Sequence, residues 1–172
     1  MSKLYHLQRE QVIPCPVEEV FAFFADVRNL EAITPRWLNF RILTPAPIHM
    51  QPGAEIEYQL AWRFIRLRWK TAIRQWEPPH FFVDVQSRGP YRLWEHTHTF
   101  RSEDGGTRMF DTVRYQLPLG ILGRCAHALR VRHDLDRIFD YRAGTIGRLF
   151  LGGAGPRPAE RCEASAPQLP IP

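Results

Sequence analysis

Ionisable side chains recur with a period of two in the segment from Gly89 to Pro118, which predicts a β-hairpin. His96 and His98 share one face of its first strand, and Asp111 lies on the matching face of the second. Their alternating neighbours are mostly charged or hydroxylated and suit a surface in water. Buried ionisable groups cost free energy unless they pair with each other or bind something. This inner face therefore predicts a ligand pocket.

Three roles are open to His96, His98 and Asp111. They could form a structural hydrogen-bonded network, contact a ligand, or bind a metal as a two-histidine, one-carboxylate set. The network is the preferred interpretation and the metal the least favoured, because the residues around the pair depart from a cupin-type metal motif. We expect no metal ion and no cofactor.

A catalytic alternative uses two of the same residues. In a cyclase or dehydratase, His98 would be the general base and Asp111 its orienting partner. That interpretation gains if the pair lies within hydrogen-bond reach and opens onto a cavity, and it loses if Trp94 and Phe100 seal the pair off. The sequence contains no glycine-rich phosphate loop, no Gly-x-Ser-x-Gly and no convincing Cys–His pair. Binding without catalysis is the expected function.

The elements that must position these residues follow from the periodicity. A short helix begins at Pro16, a second spans residues 26–34, and a long amphipathic helix runs from about 121 to 150. Seven strands are predicted at residues 4–13, about 38–42, 55–62, 66–76, 81–86, 94–101 and 108–116. Sequential hairpins imply a curved antiparallel sheet, which the long helix would cover. The expected class is α+β, with a cavity between sheet and helix.

Residues 1–150 are expected to form one domain, and the Gly/Pro-rich residues 151–172 a disordered tail. The three cysteines are far apart, which suits a reducing compartment. The N-terminus does not resemble a signal peptide, and no apolar run approaches the roughly 20 residues that cross a bilayer. We expect a cytoplasmic protein.

The formal charge of +5 permits an anionic ligand or an acidic surface. Basic residues lie among tryptophans, at Arg63, Arg66, Arg68, Lys70 and Arg74. Alternation turns Trp62 and Trp69 inward and most of the basic side chains outward, so a solvated strand is favoured over nucleic-acid binding. A weak, transient contact with anionic membrane surfaces stays open.

The facing of two polar residues is ambiguous. Alternation opposes Asp84 and Gln86 to the valines around them and so turns them outward. Phe82 shares their face, however, so the opposite assignment stays open.

The order of elements resembles the helix-grip fold of the SRPBCC superfamily, which includes START, polyketide cyclase and Bet v-like proteins. Residues 16–26, PVEEVFAFFAD, look like its opening motif, and Asn29, Leu30, Ile33 and Pro35 match its continuation. A narrower likeness, to an uncharacterised bacterial subgroup, involves Phe82, Asp84, Gln86, residues 89–91, Trp94, His96, His98, Phe100, Gly106, Thr107, Asp111, Leu117, Pro118 and Gly120. Some relatives in that subgroup are fused to an epimerase-like domain, which implies an accessory role beside such a partner as a further alternative.

The resemblance and the alternation together predict non-covalent binding of a hydrophobic small molecule. A lipid, quinone, isoprenoid or polyketide-like ring would fit this class of fold. The expected apolar walls are Trp62, Trp69, Trp94 and Phe100, and the expected polar contacts are His96, His98, Asp111 and Tyr115. Tyr58 completes the set, and either tyrosine could instead be a core residue with its hydroxyl at the cavity edge.

Overall fold

Seven strands form one antiparallel sheet in the computed structural model, which describes residues 3–151. The strands are β1 Leu4–Ile13, β2 Arg41–Ile42, β3 Glu55–Trp62, β4 Ile65–Glu77, β5 Phe81–Arg88, β6 Leu93–Glu103 and β7 Gly106–Gln116. Their spatial order is β1-β7-β6-β5-β4-β3-β2, so every pair except β1–β7 joins strands that are consecutive in sequence. The predicted curved-sheet topology is confirmed.

Short helices fill the connection from β1 to β2. They are α1 Val17–Ala25, α2 Asn29–Ala32 and a 3₁₀ turn at Arg36–Leu38. Pro16 precedes α1, and Glu18 and Glu19 lie in its first turn, where the helix dipole favours negative charge. α2 has only four residues and is shorter than the predicted helix over 26–34.

The C-terminal helical segment has three parts. They are α3 Gly120–Ala126, a π-helical turn at His127–Val131 and α4 Arg132–Leu151. The long helix is therefore present, with a π turn that the apolar periodicity did not predict. Residues 152–172, which make up nearly all of the predicted disordered tail, lie outside the described part of the chain.

α4 packs its apolar side against the sheet, burying Leu135, Phe139 and Ile146. The guanidinium of Arg9 on β1 makes ion pairs with Asp136 at 2.7 Å and Asp140 at 3.2 Å, joining α4 to the first strand. This is the predicted α+β helix-grip arrangement. Within residues 3–151, each helix is too short or too polar to cross a bilayer.

One end of the space between sheet and helices is tightly filled. We call this the closed core, and define it by Val20, Phe21, Phe100, Met109 and Ile146, each at most 5% exposed. The ring of Phe21 meets that of Phe100 edge-on, with centroids 5.5 Å apart. α1 thus seals this end against β6 and β7.

Strand register decides which side chains meet on the inner face. β6 lies between β5 and β7, with His96 opposite Asp84 and His98 opposite Asp111. Asp84 therefore faces inward, and the outward assignment from alternation was wrong. The alternation misled because β5 is a central strand that buries Phe82 on one face and Val83 on the other, so its apolar residues do not mark a single inner side.

Candidate ligand cavity and histidine–aspartate cluster

A cavity of about 310 Å³ lies between the inner face of the sheet and α4. Its volume is at the lower end of the roughly 300–1,000 Å³ typical of small-molecule sites. Aromatic side chains dominate the wall formed by β3, β4 and the β5–β6 region, including Tyr58, Trp62, Trp69, Tyr91 and Trp94. The space can therefore hold a small, largely apolar molecule.

Polar tips fix these large rings in place. The hydroxyl of Thr71 lies 3.1 Å from both the Tyr58 hydroxyl and the Trp69 indole Nε1, and that indole donates to it. Trp62 Nε1 donates a 2.9 Å hydrogen bond to Asp134 Oδ2, which connects β3 to α4. Each ring presents an apolar body to the cavity while its polar atom is satisfied.

Two imidazoles occupy the wall formed by β6. The rings of His96 and His98 have centroids 3.8 Å apart, and both residues are only 5% exposed. His96 Nε2 forms a 2.9 Å hydrogen bond with Asp111 Oδ1. His98 Nδ1 lies 2.8 Å from the same oxygen, but its direction is too poor for a hydrogen bond. One carboxylate oxygen thus contacts both rings.

A second carboxylate approaches the opposite edges of the same rings. Asp84 Oδ2 lies 3.3 Å from His98 Nε2 and 3.7 Å from His96 Nδ1. Asp84, His96 and His98 line the cavity, whereas Asp111 lies behind the rings. We call these four residues the His–Asp cluster.

Burial and charge act against each other in this cluster. Burial lowers the pKa of His96, helped by the charge of His98 and only partly offset by Asp111. Burial alone would also lower the pKa of His98, but Asp111 and Asp84 together raise it. Burial opposes ionisation of Asp111, yet its contacts with the two histidines hold its pKa below the ordinary value. The carboxylates therefore favour the protonated form of His98 more than that of His96, and the two imidazoles favour the ionised form of Asp111.

The predicted site residues divide into two groups. Tyr58, Trp62, Trp69, Trp94, His96 and His98 line the cavity. Phe100 belongs to the closed core, and Asp111 is shielded by the imidazoles. Tyr115 packs with its ring stacked on Tyr5 at 5.5 Å, and burial raises its pKa to about 12.

Burial likewise affects the two tyrosines in the cavity wall. It raises the pKa of Tyr58, with a further contribution from the negative charge of Asp84. It also raises the pKa of Tyr91, where Tyr115 and Asp134 add to the effect. Both phenols therefore stay neutral and serve as hydrogen-bonding groups.

Four charged residues that line the cavity are absent from the sequence-based set: Asp26, Asp84, Asp134 and Arg142. Arg142 on α4 lines the cavity, its guanidinium lies 5.2 Å from the Phe139 ring centroid, and its Nε is buried without a hydrogen-bond partner among the described residues. Its position three residues after Phe139 and seven after Leu135 placed it on the buried helix face, which was the available signal.

Comparison with known proteins gives one family match. A family model described as polyketide cyclase/dehydrase and lipid transport matches residues 13–132, more than half of the chain. None of the curated protein sequences matches this chain.

Solved structures share the fold at low sequence identity. The protein TTHA0849 from Thermus thermophilus aligns with a TM-score of 0.68 and 18% identity, covering 88% of this chain and 100% of that one. A protein from Arthrobacter aurescens gives a TM-score of 0.65 at 14% identity, covering 87% and 88%. Ara h 8.0201 gives 0.54 at 15% identity, covering 84% and 98%. At these identities the likeness establishes the fold alone.

Proposed function

The chain belongs to the polyketide cyclase/dehydrase and lipid transport family, and from this premise we propose that it binds a hydrophobic small molecule between the sheet and α4. The observation that carries the proposal is the aromatic cavity of about 310 Å³, which has polar groups at only a few points of its wall. Lipids, quinones, isoprenoids and polyketide-like rings have the required apolar body.

Arg142 narrows the ligand class. An unsatisfied buried donor costs about 1–3 kcal/mol, so a ligand that supplies an acceptor gains affinity from it. Guanidinium groups bind carboxylates and other anionic oxygens especially well. We therefore favour a molecule with an apolar body and an acidic or strongly accepting oxygen, such as a fatty acid or a phenolic polyketide-like ring.

A pair of fluorescent probes tests both parts of this proposal. The chain should bind neutral Nile red and anionic anilinonaphthalene sulfonate. Arg142→Met should lower the affinity for the anionic probe about tenfold, because it removes a charge-assisted contact. The affinity for Nile red should be unchanged. The control is Arg132→Met in the first turn of α4, where the side chain is 76% accessible. Failure of the wild type to bind either probe would refute the cavity proposal.

A cyclase or dehydratase activity is the second candidate. It is favoured by the His98 imidazole, which lines the cavity with Asp111 Oδ1 2.8 Å behind it. A general base needs a partner that orients it and stabilises the proton it gains. Catalysis would be established if the chain converts a ring-forming polyketide-like substrate and His98→Gln abolishes this turnover while retaining Nile red binding.

A transient membrane contact is a further proposal, based on one exposed end of the molecule. Apolar side chains there include Phe64, which is fully exposed, and Leu119, Ile121 and Leu122, each more than 70% exposed. The hydrogen bond from Trp62 to Asp134 brings the β3–β4 turn close to the start of α4. Arg63 and Arg66 flank Phe64 and suit anionic headgroups.

Vesicle flotation tests the membrane contact. Phe64→Ser should reduce binding to vesicles containing phosphatidylserine, while Val12→Ser on β1 should not. Equal binding by both variants would contradict the contact. Cytoplasmic location and an accessory role beside an epimerase-like partner stay predictions, which fractionation and co-purification would test.

A further inference from the structure

We propose that Asp84, His96 and His98 form a three-ligand site for a divalent first-row transition-metal ion at the polar wall of the cavity. The sequence offered His96, His98 and Asp111 as the only metal set. The structure replaces Asp111 with Asp84, which faces the cavity.

The donor atoms converge as metal ligands do. One ligand atom from each of the three residues lies within 4.8 Å of the other two. Asp84 Oδ2 lies 3.3 Å from His98 Nε2 and 3.7 Å from His96 Nδ1. These distances are long for hydrogen bonds, but they are close to the roughly 3.0–3.5 Å that separates two ligands each about 2.1 Å from one ion.

Asp111 supplies the support that metal-binding histidines usually have. Such histidines direct the ring nitrogen that does not face the metal toward a carboxylate or carbonyl, which sets the tautomer. Here His96 Nε2 and His98 Nδ1 both contact Asp111 Oδ1, at 2.9 and 2.8 Å. In the neutral tautomers that carry their protons on the Asp111 side, His96 Nδ1 and His98 Nε2 present their lone pairs on the Asp84 side.

Charge balance also favours a cation. Two aspartates lie in the cluster, and neither makes an ion pair with a lysine or arginine among the side chains that the structure describes. A divalent ion bound by Asp84 and the two imidazoles would offset this negative charge.

The ligand set selects the metal class. Two imidazoles and one carboxylate suit Zn²⁺ and Fe²⁺ better than Mg²⁺ or Ca²⁺, which prefer oxygen ligands. Three protein ligands leave coordination positions open, and the three residues border the cavity, so an oxygen of the apolar ligand could occupy one. The site itself does not depend on the identity of that ligand.

Metal binding is measured on the tag-free chain without any lipid. Bound metal is first removed with a chelator, the chelator is removed, and one equivalent of Zn²⁺ is added. Gel filtration followed by elemental analysis should then find one zinc per chain. Co²⁺ should produce visible d–d absorption, and Zn²⁺ should raise the melting temperature of the wild type. Recovery of no zinc and an unchanged melting temperature would overturn the proposal and leave the cluster a hydrogen-bonded network.

Variants then locate the ion. Asp84→Asn should lose zinc retention, and Asp111→Asn should keep the three ligands but bind about 10–100-fold more weakly. His80→Ala, which removes an exposed histidine, is the control for surface binding. Retention by a folded Asp84→Asn protein equal to that of wild type would reject this site. If Asp84→Asn does not fold, Asp111→Asn and the wild-type melting shift decide the question. Nile red binding by the wild-type chain tests the cavity proposal, so that proposal and the metal site can fail independently.

Discussion

The closed core and the cavity wall are built on the same sheet from similar aromatic residues, yet only one of them leaves space. In the closed core, Phe21 and Phe100 meet edge-on and have no polar atoms to satisfy. In the cavity wall, Tyr58 and Trp69 are held through Thr71. Rings without polar tips can pack until no void is left, whereas rings bonded at their tips are kept against the wall. The two regions thus differ in how their rings are held, by ring-on-ring packing in the closed core and by hydrogen bonds at polar atoms for Tyr58 and Trp69 in the cavity wall.

The His–Asp cluster lies between the two regions. His98 stacks on Phe82 with centroids 4.2 Å apart, and Phe82 in turn contacts Phe21 of the closed core. The cluster is therefore supported by tight packing on one side and borders the cavity on the other, which is how a rigid polar site is built.

The largest expected effect is in the closed core. Phe100→Ala should lower the free energy of unfolding by about 3–5 kcal/mol, because it leaves a void that α1 cannot fill. Trp94→Ala should cost less, since Trp94 already borders space, but should abolish Nile red binding. Urea denaturation and probe titration measure the two effects. A smaller loss of unfolding free energy for Phe100→Ala than for Trp94→Ala would contradict the distinction between the two regions.

The next largest loss of stability is expected in the His–Asp cluster, which lies between the closed core and the cavity. His98→Ala and Asp111→Ala should each cost about 1–3 kcal/mol, because each removes one side of the buried polar contact between His98 Nδ1 and Asp111 Oδ1. The double variant should cost less than the sum, since the contact is shared. Asp104→Ala in the exposed β6–β7 turn is the control, expected within about 0.5 kcal/mol of wild type. Additive melts would show that the cluster is not coupled.

The smallest effect compares two threonines. Thr107 is completely buried and donates a 2.7 Å hydrogen bond to the Cys15 carbonyl, whereas Thr71 holds two rings beside the cavity. Thr107→Val should cost about 1–2 kcal/mol and Thr71→Val less, since water in the cavity can replace its hydroxyl. Chemical denaturation of this matched pair tests the order, and the reverse order would mean that the cavity wall is as dry as the core.

The fold could be predicted from the sequence because its patterns are strict. Ile56, Tyr58, Leu60 and Trp62 alternate with polar residues, and Gly105 and Gly106 mark the turn before β7. The π turn and the short length of α2 were not predicted, because neither changes the apolar periodicity from which the helices were predicted.

The site could be predicted only in part, and the reasons are physical. Phe100 follows His98 on the same face, but α1 covers it, and strand alternation contains no information about what covers a residue. Sequence alternation indicated an outward-facing Asp84, because β5 is apolar on both faces and alternation cannot identify the inner face of such a strand. Arg142 was not predicted as a site residue because an arginine on a helix is usually solvated, although its spacing from Phe139 places it on the buried face of α4.

The pairing of the first strand with the last has a consequence for synthesis. β1 bonds along its whole length to β7, from Leu4 opposite Gln116 to Ile13 opposite Thr107. On the ribosome β1 emerges first and must wait for its partner until nearly the whole sheet has been made. Unpaired strands are prone to aggregation during such delays. Charged side chains within a strand oppose edge-to-edge association. In β1 these are Arg9 and Glu10, so the arginine that anchors α4 in the folded chain is also suited to limit aggregation during this interval.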